Sequence, residues 1–419
     1  MNTKTTCAIP WMHLNFEPDG KVVPCCLTSA QGYYAGDLNK SSIHEIWNSN
    51  NMKSLRKQMM NGEEPAICRK CFDRERVTGE SGRTWNNLEF KDVIPLIPQI
   101  TKEDGTCTEM KLKYWDFRFS NLCNMKCRSC GPRYSSAWVP DAKKLGYITS
   151  QDKVWNIEAV NDTANYDFLK DGIKDVEKIY FAGGEPLLMK EHWDILDMLV
   201  EAKRFDVKIC YNTNMLKLDY GNKNAIDYWK QWEKNKIEIW PSIDELGERA
   251  ELIRSGTVWE KVDANLKELV KNKITVRPGI TVGAWNVERI PEIIKYFVDI
   301  GVLNESNKHR QFYINLLEYP SPYHVHVLPP QDRERIITKL NVFVARHNAT
   351  YKTRIDDLMK HILHELRKPY SYKDATTFVE TTRRVDEVRG ENLYEVIPEM
   401  NSVRDWVERN RPVRPTPRR

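Results

Sequence analysis

The chain has 419 residues, of which 41% are hydrophobic and 29% charged, and its formal net charge is +5. This length allows two or three domains with a sizeable core, and the composition is typical of a globular protein. The sequence has no run of about 18 apolar residues that could span a membrane, and its first residues lack the apolar segment of a signal peptide. We therefore expect a cytoplasmic protein with no membrane partner.

Cysteine usage indicates metal binding. The chain holds ten cysteines, and without a secretory signal we expect them to bind metals rather than to form disulfides. The excess of basic residues lies in an arginine- and proline-rich tail over 406–419. We expect this tail to be disordered, and we do not expect nucleic acid as a partner.

A first group of cysteines lies within residues 1–75. Cys7, Gly20 and Cys25 follow the spacing C-x(12)-G-x(4)-C. Pro18-Asp19-Gly20 is a turn signal between two short apolar runs, which predicts a β-hairpin. Such a hairpin would bring Cys7 and Cys25 side by side.

A helix and a second cysteine pair follow the hairpin. The capping box Ser42-Ile-His-Glu45 predicts one helix over 43–61. Cys68 and Cys71 then form a C-x-x-C pair, which completes a set of four thiolates. An iron–sulfur cluster and a zinc ribbon suit this spacing equally. The charged, proline-broken residues 76–112 predict a linker.

Strands and helices alternate from residue 113 to 320. This rhythm predicts a parallel α/β sheet with right-handed crossovers, whose ligands gather at the C-terminal ends of the strands. The predicted strands are 114–120, 178–182, 207–213, 237–243, 275–282 and 311–317, and the predicted helices are 192–203, 224–234, 258–272 and 289–300.

The first of these strands runs into three cysteines. Cys123, Cys127 and Cys130 have the spacing C-x-x-x-C-x-x-C, so that one short loop can wrap three thiolates around a metal centre. Three thiolates are one fewer than a closed four-cysteine site needs, which would leave one iron open for chemistry. A zinc knuckle and three unrelated thiols are the alternatives.

The second strand runs into Gly183-Gly184-Glu185-Pro186. Two glycines let the backbone approach a ligand closely, and the Glu185 carboxylate can bind an ammonium group. Together with the cysteine triplet one strand earlier, this sequence resembles the radical S-adenosylmethionine (radical SAM) superfamily, whose GGEP motif is identical. The resemblance implies a partial (β/α)6 TIM-type barrel, a 4Fe–4S cluster on the three cysteines, and binding of the SAM amino group by Gly183, Gly184, Glu185 and Pro186.

The same resemblance assigns roles at later strand ends. Ser242-x-Asp244 and the following Arg254-x-Gly are similar to the S-x-D and R-x-G patterns of peptide-modifying relatives. By that likeness Ser242 would reach the ribose or carboxylate of SAM, and Arg254 would pair with its carboxylate. Asp244 would contact ribose or substrate, and the strand at Val282 would lie against the adenine. The chain departs from the family at Ser129, where an aromatic residue usually touches the adenine.

The N-terminal block resembles the SPASM/twitch domains that accompany many radical SAM enzymes. The likeness covers the C-x(12)-G-x(4)-C spacing, the sequence Ile46-Trp-Asn-Ser49 and the C-x-x-C pair. Two features depart from the pattern, because the block precedes the barrel and the seven-cysteine SPASM set is incomplete. The resemblance therefore implies the twitch form, with Cys26 able to replace Cys25. Its single auxiliary 4Fe–4S cluster would be bound by Cys7, Cys25, Cys68 and Cys71.

Residues 321–405 predict a helical extension, with helices over 333–346 and 355–366 that would pack on the barrel. We expect His324 and His326 to be a structural pair rather than a metal site. The predicted order is thus a hairpin-and-helix iron–sulfur domain over 1–75, a linker over 76–112, the partial barrel over 113–320, the extension and the tail.

The resemblance implies an enzyme that reductively cleaves SAM to a 5′-deoxyadenosyl radical, which takes a hydrogen atom from a substrate. Relatives with such auxiliary domains often modify peptides or proteins, so we expect a substrate of that kind. The auxiliary cluster would then be an electron acceptor or a substrate ligand, and the one-electron donor a flavodoxin or ferredoxin. A small-molecule or nucleotide substrate, and a non-catalytic iron–sulfur electron carrier, are the alternatives.

Overall fold

The computed structural model describes residues 4–28, 32–149, 163–302, 313–347 and 355–411. Most of the predicted tail and the predicted start of the sixth barrel strand at Gln311 lie outside these ranges. Within them, no helix combines the length and the apolar character that crossing a membrane requires.

The N-terminal part is the predicted hairpin followed by helices. Gly20 closes the turn at φ 82°, a left-handed conformation that glycine adopts without strain. The predicted helix over 43–61 is in fact two helices, because Ser49 caps the second by accepting a hydrogen bond from the Met52 N–H (3.4 Å). The predicted linker also contains helices. The elements of this part are β1 (His13–Phe16), β2 (Lys21–Val23), β3 (Gly36–Asp37), α1 (Ile43–Trp47), α2 (Asn50–Met60), α3 (Arg69–Thr78), α4 (Gly82–Glu89) and α5 (Ile97–Ile100).

The middle of the chain forms the predicted strands with helices between them. The predicted strand over 275–282 is two strands, because Pro278 lacks the N–H that would continue the ladder. A bridge between Ser242 and Gly279 carries the sheet across this break. The elements are β4 (Tyr114–Phe117), β5 (Lys126–Cys127), α6 (Val139–Lys144), α7 (Thr163–Gly172), β6 (Lys178–Phe181), α8 (Lys190–Glu201), β7 (Lys208–Thr213), β8 (Asp219–Tyr220), β9 (Lys223–Asn224), α9 (Ala225–Trp229), β10 (Ile237–Pro241), α10 (Gly247–Ile253), β11 (Arg254–Ser255), α11 (Trp259–Lys271), β12 (Thr275–Val276), β13 (Gly279–Val282), α12 (Ile290–Asp299) and β14 (Tyr313–Leu316).

The first strand of the N-terminal part joins the barrel sheet. β1 pairs in parallel with β4, with His13 opposite Tyr114, and the stacked rings of Phe16 and Phe117 have centroids 4.2 Å apart. The sheet order is β12-β10-β7-β6-β4-β1-β2-β3, and β13 and β14 form a further parallel pair. The hairpin therefore extends the barrel sheet at its first edge.

The two faces of this sheet differ in polarity. On the outer face, apolar side chains pack against the helices, as Phe181 does edge-on to His192 of α8. Because successive side chains of a strand point to opposite faces, the residues between them line the inner face. We call one set of directly opposed inner residues the inner polar row. It consists of Asn15, Asp116, Tyr180, Cys210 and Glu238.

The C-terminal part is helical, and both predicted helices are confirmed. Three further helices were not predicted. The longest of them packs against the last helix and against α6, and one continuous hydrophobic core contains residues of all three parts of the chain. The elements are α13 (Pro330–His347), α14 (Ile355–Leu366), α15 (Tyr372–Arg389), α16 (Leu393–Val396) and α17 (Asn401–Arg409).

We expect Phe16→Ala to destabilise the barrel sheet as well as the hairpin. Phe16 is fully buried against Phe117, and truncating a buried phenylalanine costs about 3–5 kcal/mol. Denaturant unfolding should show this loss, and hydrogen exchange should become faster in β4. Leu88→Ala, at an exposed position, is the control and should change neither quantity. Faster exchange confined to residues 7–28 would contradict a shared sheet.

Candidate active site

The loop that leaves β4 brings Cys123, Cys127 and Cys130 together. The three are free thiols, and they interact electrostatically with one another. Burial raises the pKa of Cys123 and Cys130 to about 12, and it also raises that of Cys127, where Arg254 opposes the rise. A buried thiol releases its proton when a cation replaces it. The set therefore fits an iron centre.

Residues after the triplet hold this loop in place. The Trp138 indole N–H donates a hydrogen bond to the Cys127 carbonyl oxygen (2.8 Å), and the Ser135 hydroxyl donates to that of Met125 (2.5 Å). Sequence reasoning did not assign these two side chains.

The geometry needed to bind a single metal ion differs from the geometry needed to bind a cluster. In the described part of the chain, no three His, Cys, Asp or Glu side chains converge closely enough to hold one metal ion. In a 4Fe–4S cluster each cysteine binds a different iron atom. The cysteine sulfurs that bind such a cluster therefore lie farther apart than the ligands of a single metal ion.

A short strand carrying Arg254 pairs directly with the cluster loop. β11 is antiparallel to β5, with Arg254 opposite Cys127. The guanidinium donates through Nε to Asp244 (2.8 Å) and through Nη1 to the Cys127 sulfur (3.5 Å). Gly256 has φ 105°, and a Cβ there would lie 2.8 Å from the Asn124 carbonyl oxygen. Arg254 thus contacts a cysteine of the triplet, and its role at the SAM carboxylate stays a prediction.

The Gly183-Gly184-Glu185-Pro186 segment also packs against the cluster loop. Both glycines have positive φ, and a Cβ on Gly184 would lie 2.4 Å from the Leu122 carbonyl oxygen. Glu185 is 1% exposed and accepts hydrogen bonds from the Thr213 hydroxyl (2.8 Å) and the Asn214 N–H (2.7 Å). Burial raises the pKa of Glu185 to about 7. Its role at the SAM ammonium stays a prediction.

The other sequence-predicted residues lie at the ends of β10 and β13. Asp244 is buried and accepts a hydrogen bond from the Thr281 N–H (2.8 Å) besides that from Arg254. Ser242 is half-buried. Val282 is buried, and its carbonyl oxygen accepts a hydrogen bond from the Leu317 N–H (2.9 Å). The structure places Asp244 beside the cluster loop through Arg254, whereas SAM contacts of all three stay predictions.

The N-terminal cysteines converge as a second group. Cys7 and Cys25 each interact electrostatically with Cys68 and Cys71. Burial raises the pKa of Cys7 and Cys25, and it raises that of Cys68 to about 12. Cys26 is exposed. It interacts electrostatically with Asp116 of β4 and with Arg118, which directly follows that strand. The four predicted thiols fit a second cluster, and their assignment as its ligands stays a prediction.

The N-terminal part contacts both edges of the barrel sheet. At one edge β1 pairs with β4. At the other, Lys70 of the C-x-x-C segment forms an ion pair with Glu318, which follows β14 (2.9 Å), and α3 packs against α14. The N-terminal cysteines therefore lie on the side where the partial barrel is open.

A buried charged cluster lies where β1 and β4 meet, and sequence reasoning missed it. Glu17 accepts hydrogen bonds from the Tyr134 hydroxyl (2.6 Å) and from Arg118 Nη1 (3.2 Å). Arg118 also forms an ion pair with Asp116 (3.5 Å). Among the described residues, Asn15 and Asp116 have buried side-chain atoms without a hydrogen bond of normal geometry. The signal in the sequence was the alternation of polar residues within two otherwise apolar strands.

The predicted histidine pair can also be compared with the structure. His324 Nε2 lies 3.5 Å from a Glu365 carboxylate oxygen, and His326 Nε2 lies 3.1 Å from an Asp374 carboxylate oxygen. Burial lowers the pKa of His326.

Two family models match the regions that hold these sites. One is described as the radical SAM superfamily and matches residues 117–297. The other, SPASM, is described as an iron–sulfur cluster-binding domain and matches residues 7–72. Together the two regions contain all seven cysteines of the two groups.

Curated relatives and solved structures show more distant likenesses. GTP 3′,8-cyclase of Aliarcobacter butzleri is 26% identical over 215 residues, which are 51% of this chain and 57% of the relative. Probable GTP 3′,8-cyclase of Methanocaldococcus jannaschii is 22% identical over 228 residues, with 52% and 67% covered. This chain thus spans about three fifths of the first relative's length.

Among solved structures, anSMEcpe with bound AdoMet has a TM-score of 0.39 at 18% identity, over 56% of this chain and 58% of that one. Streptococcus suis SuiB bound to S-adenosylmethionine has a TM-score of 0.39 at 12% identity, with 80% and 69% covered.

We expect Asp116 to make folding pH-dependent. Burial raises its pKa to about 6, with Arg118 opposing the rise and Glu17 adding to it. A carboxyl group whose pKa is higher in the folded than in the unfolded chain contributes to the free energy of unfolding at low pH. That contribution is lost as the pH rises from the unfolded-state pKa, about 4, through the folded-state pKa. Denaturant unfolding of iron-free protein should show this decline between about pH 4 and pH 7.

Asp116→Asn should remove that part of the pH dependence, whereas Asp227→Asn, at an exposed position of α9, should leave it unchanged. A decline of the same size in Asp116→Asn and in the parent would contradict the assignment.

Proposed function

Because this chain belongs to the radical SAM superfamily and carries a SPASM-type iron–sulfur cluster-binding domain, we propose that it is an enzyme that modifies a peptide or protein. Its cofactors are SAM, the 4Fe–4S cluster of the radical SAM domain and iron–sulfur of the SPASM-type domain. With these cofactors bound, the radical SAM cluster would pass one electron from an external donor to SAM, whose reductive cleavage would supply the means to remove a hydrogen atom from the substrate.

The protein's own residues place and shield these groups. Cys123, Cys127 and Cys130 would hold the cluster, leaving one iron open. Arg254, which Asp244 orients, places a positive charge at the Cys127 sulfur. The Gly-Gly segment packs closely on the cluster loop, because neither glycine has a side chain that would collide with its neighbours.

The observation that supports a peptide substrate is the polar inner face where β1 meets β4. The Asn15 amide offers both a donor and an acceptor, the two groups that a peptide bond pairs with. Asp116 beside it adds an acceptor. Its ion pair with Arg118 is long (3.5 Å), and within the described residues the buried side-chain atoms of Asn15 and Asp116 lack a hydrogen bond of normal geometry. A peptide entering the barrel would satisfy both.

The charges of this inner face disfavour a nucleoside triphosphate, which needs basic side chains free to bind phosphate oxygens. Arg118 is paired with Glu17 and Asp116. Lys178 and Lys208, deeper on the same face, both pair with Glu89 (2.6 and 2.8 Å).

A nucleotide is the second candidate substrate. It is favoured by the two relatives named as GTP 3′,8-cyclases, which match about half of this chain. In that case the phosphates would have to displace carboxylates from Arg118 or bind outside the inner face.

We propose a cellular compartment from the state of the cysteines. All ten are free thiols, which supports a reducing compartment such as the cytoplasm. We retain a flavodoxin or ferredoxin as the expected electron donor. Asn15 and Glu17 of the N-terminal part share the barrel's inner face with Asp116, where a substrate would bind. The auxiliary cluster of the same N-terminal part would therefore either accept an electron from the substrate or bind the substrate.

We expect anaerobically reconstituted protein to hold about eight irons per chain and to form 5′-deoxyadenosine from SAM with dithionite. A variant with Cys123, Cys127 and Cys130 replaced by alanine should hold about four and form none, because only the auxiliary cluster remains. Iron and sulfide analysis with chromatography of the products measures both. Zinc in place of iron, or undiminished cleavage in the variant, would overturn the proposal.

Adding GTP to this assay tests the substrate class. We expect GTP to leave 5′-deoxyadenosine formation at the substrate-free rate, because the basic residues of the inner face are already paired. A tenfold or larger stimulation by GTP, with GTP consumed, would favour the nucleotide candidate instead.

A further inference from the structure

The C-terminal helix α15 contacts the cluster loop between its cysteines. Arg128, which directly follows Cys127, is 3% exposed. Its guanidinium forms ion pairs with Asp386 in the last turn of α15 and with Glu391 just beyond the helix (2.6 Å to Glu391). The cluster loop is thereby tied to a helix that lies 258 positions later in the chain.

One of these carboxylates, Glu391, also holds the strand that carries Arg254 and faces the Cys127 sulfur. The second oxygen of Glu391 accepts a hydrogen bond from the Ser255 hydroxyl (2.7 Å), and Arg128 Nε donates to the Leu252 carbonyl oxygen (3.3 Å). Arg254, which donates to the Cys127 sulfur, is the neighbour of Ser255. Glu391 thus joins the two segments that set the surroundings of Cys127.

Apolar contacts continue this interface to the third cysteine. A small hydrophobic cluster, separate from the main core, joins the chain after the loop to α15, and Cys130 and Val388 pack against it. Arg389 of α15 lies over the Trp138 ring, 4.4 Å from its centroid, and donates to Asp141 (2.8 Å). The members of the small cluster are Trp138, Ala142, Leu145 and Val385.

These contacts matter because the loop has little regular structure of its own. Its only strand is the two-residue β5, so its conformation depends on neighbouring elements. A fully partnered, buried guanidinium holds one geometry, whereas a buried carboxylate that loses its cation is strongly disfavoured.

We propose that α15 is part of the radical SAM cluster site and that Arg128 is a positioning residue. By pairing with Asp386 and Glu391, it fixes Cys127 and Cys130 at the spacing the cluster needs. Helix α15 therefore governs how firmly the cluster is retained and what electronic environment it has. This inference concerns the cofactor and does not depend on the substrate class.

We expect Arg128→Met to lose the barrel cluster selectively, because Asp386 and Glu391 then lose the guanidinium that bridges them, and only the longer contact of Glu391 with Arg389 (4.0 Å) remains. In anaerobically reconstituted full-length protein, iron should fall from about eight to about four per chain. The SAM-induced change in the EPR spectrum of the reduced protein should disappear. Arg128→Lys keeps the charge with fewer donors, so it should retain an intermediate iron content and recover the SAM-induced change.

Arg249→Met is the matched control. Arg249 also links the barrel to the C-terminal part, through Glu399 (2.9 Å), and in the described residues it contacts no cluster cysteine. It should keep about eight irons and the parent EPR spectrum, and thermal unfolding of the iron-free variants should show similar losses of stability for both substitutions.

Full iron content and an unchanged spectrum in Arg128→Met would overturn the proposal, and so would equal loss of the barrel cluster in Arg249→Met. Failure of SAM cleavage with the cluster intact would count against the proposed function and leave this proposal standing.

Discussion

The parallel pairing of β1 with β4 determines where both cysteine groups lie. Cys7 and Cys25 flank the hairpin that contains β1, and the triplet follows directly on β4. The stacked rings of Phe16 and Phe117 fix the register of the pair. A slip by one residue would turn every side chain of β1 to the opposite sheet face. One backbone ladder therefore aligns the auxiliary site with the catalytic site.

Burial away from water requires the charged groups of the site to be neutralised, and this requirement determines which side chains lie next to one another. The carboxylates Glu17 and Asp244 are buried next to the arginines that neutralise them, and the thiols stay protonated where no cation reaches them. The cysteines and the arginine–carboxylate pairs solve the same physical problem in two ways. The thiols remain protonated until a metal binds, whereas each buried carboxylate is already neutralised by an arginine of the same chain.

Local features could be predicted from the sequence, whereas contacts distant in the chain could not. The turn at Gly20, the barrel strands and the gathering of each cysteine group follow from short-range spacing and periodicity. The pairing of His13 with Tyr114 spans 101 positions, and that of Arg128 with Asp386 spans 258. No local pattern specifies such partners. Arg254 shows the intermediate case, because the motif predicted a role for it at the SAM carboxylate but did not reveal its contact with the Cys127 sulfur.

The N-terminal position of the hairpin has a consequence for synthesis of the chain on the ribosome. All four thiols predicted for the auxiliary site emerge before any strand of the barrel, so the predicted ligand set is complete first. β1 meanwhile has a partner on one side only, since β4 is translated about a hundred residues later. During that interval β1 is an open sheet edge, the kind of surface on which nascent chains aggregate. Completion of the barrel covers that edge, so catalytic and auxiliary halves mature as one unit.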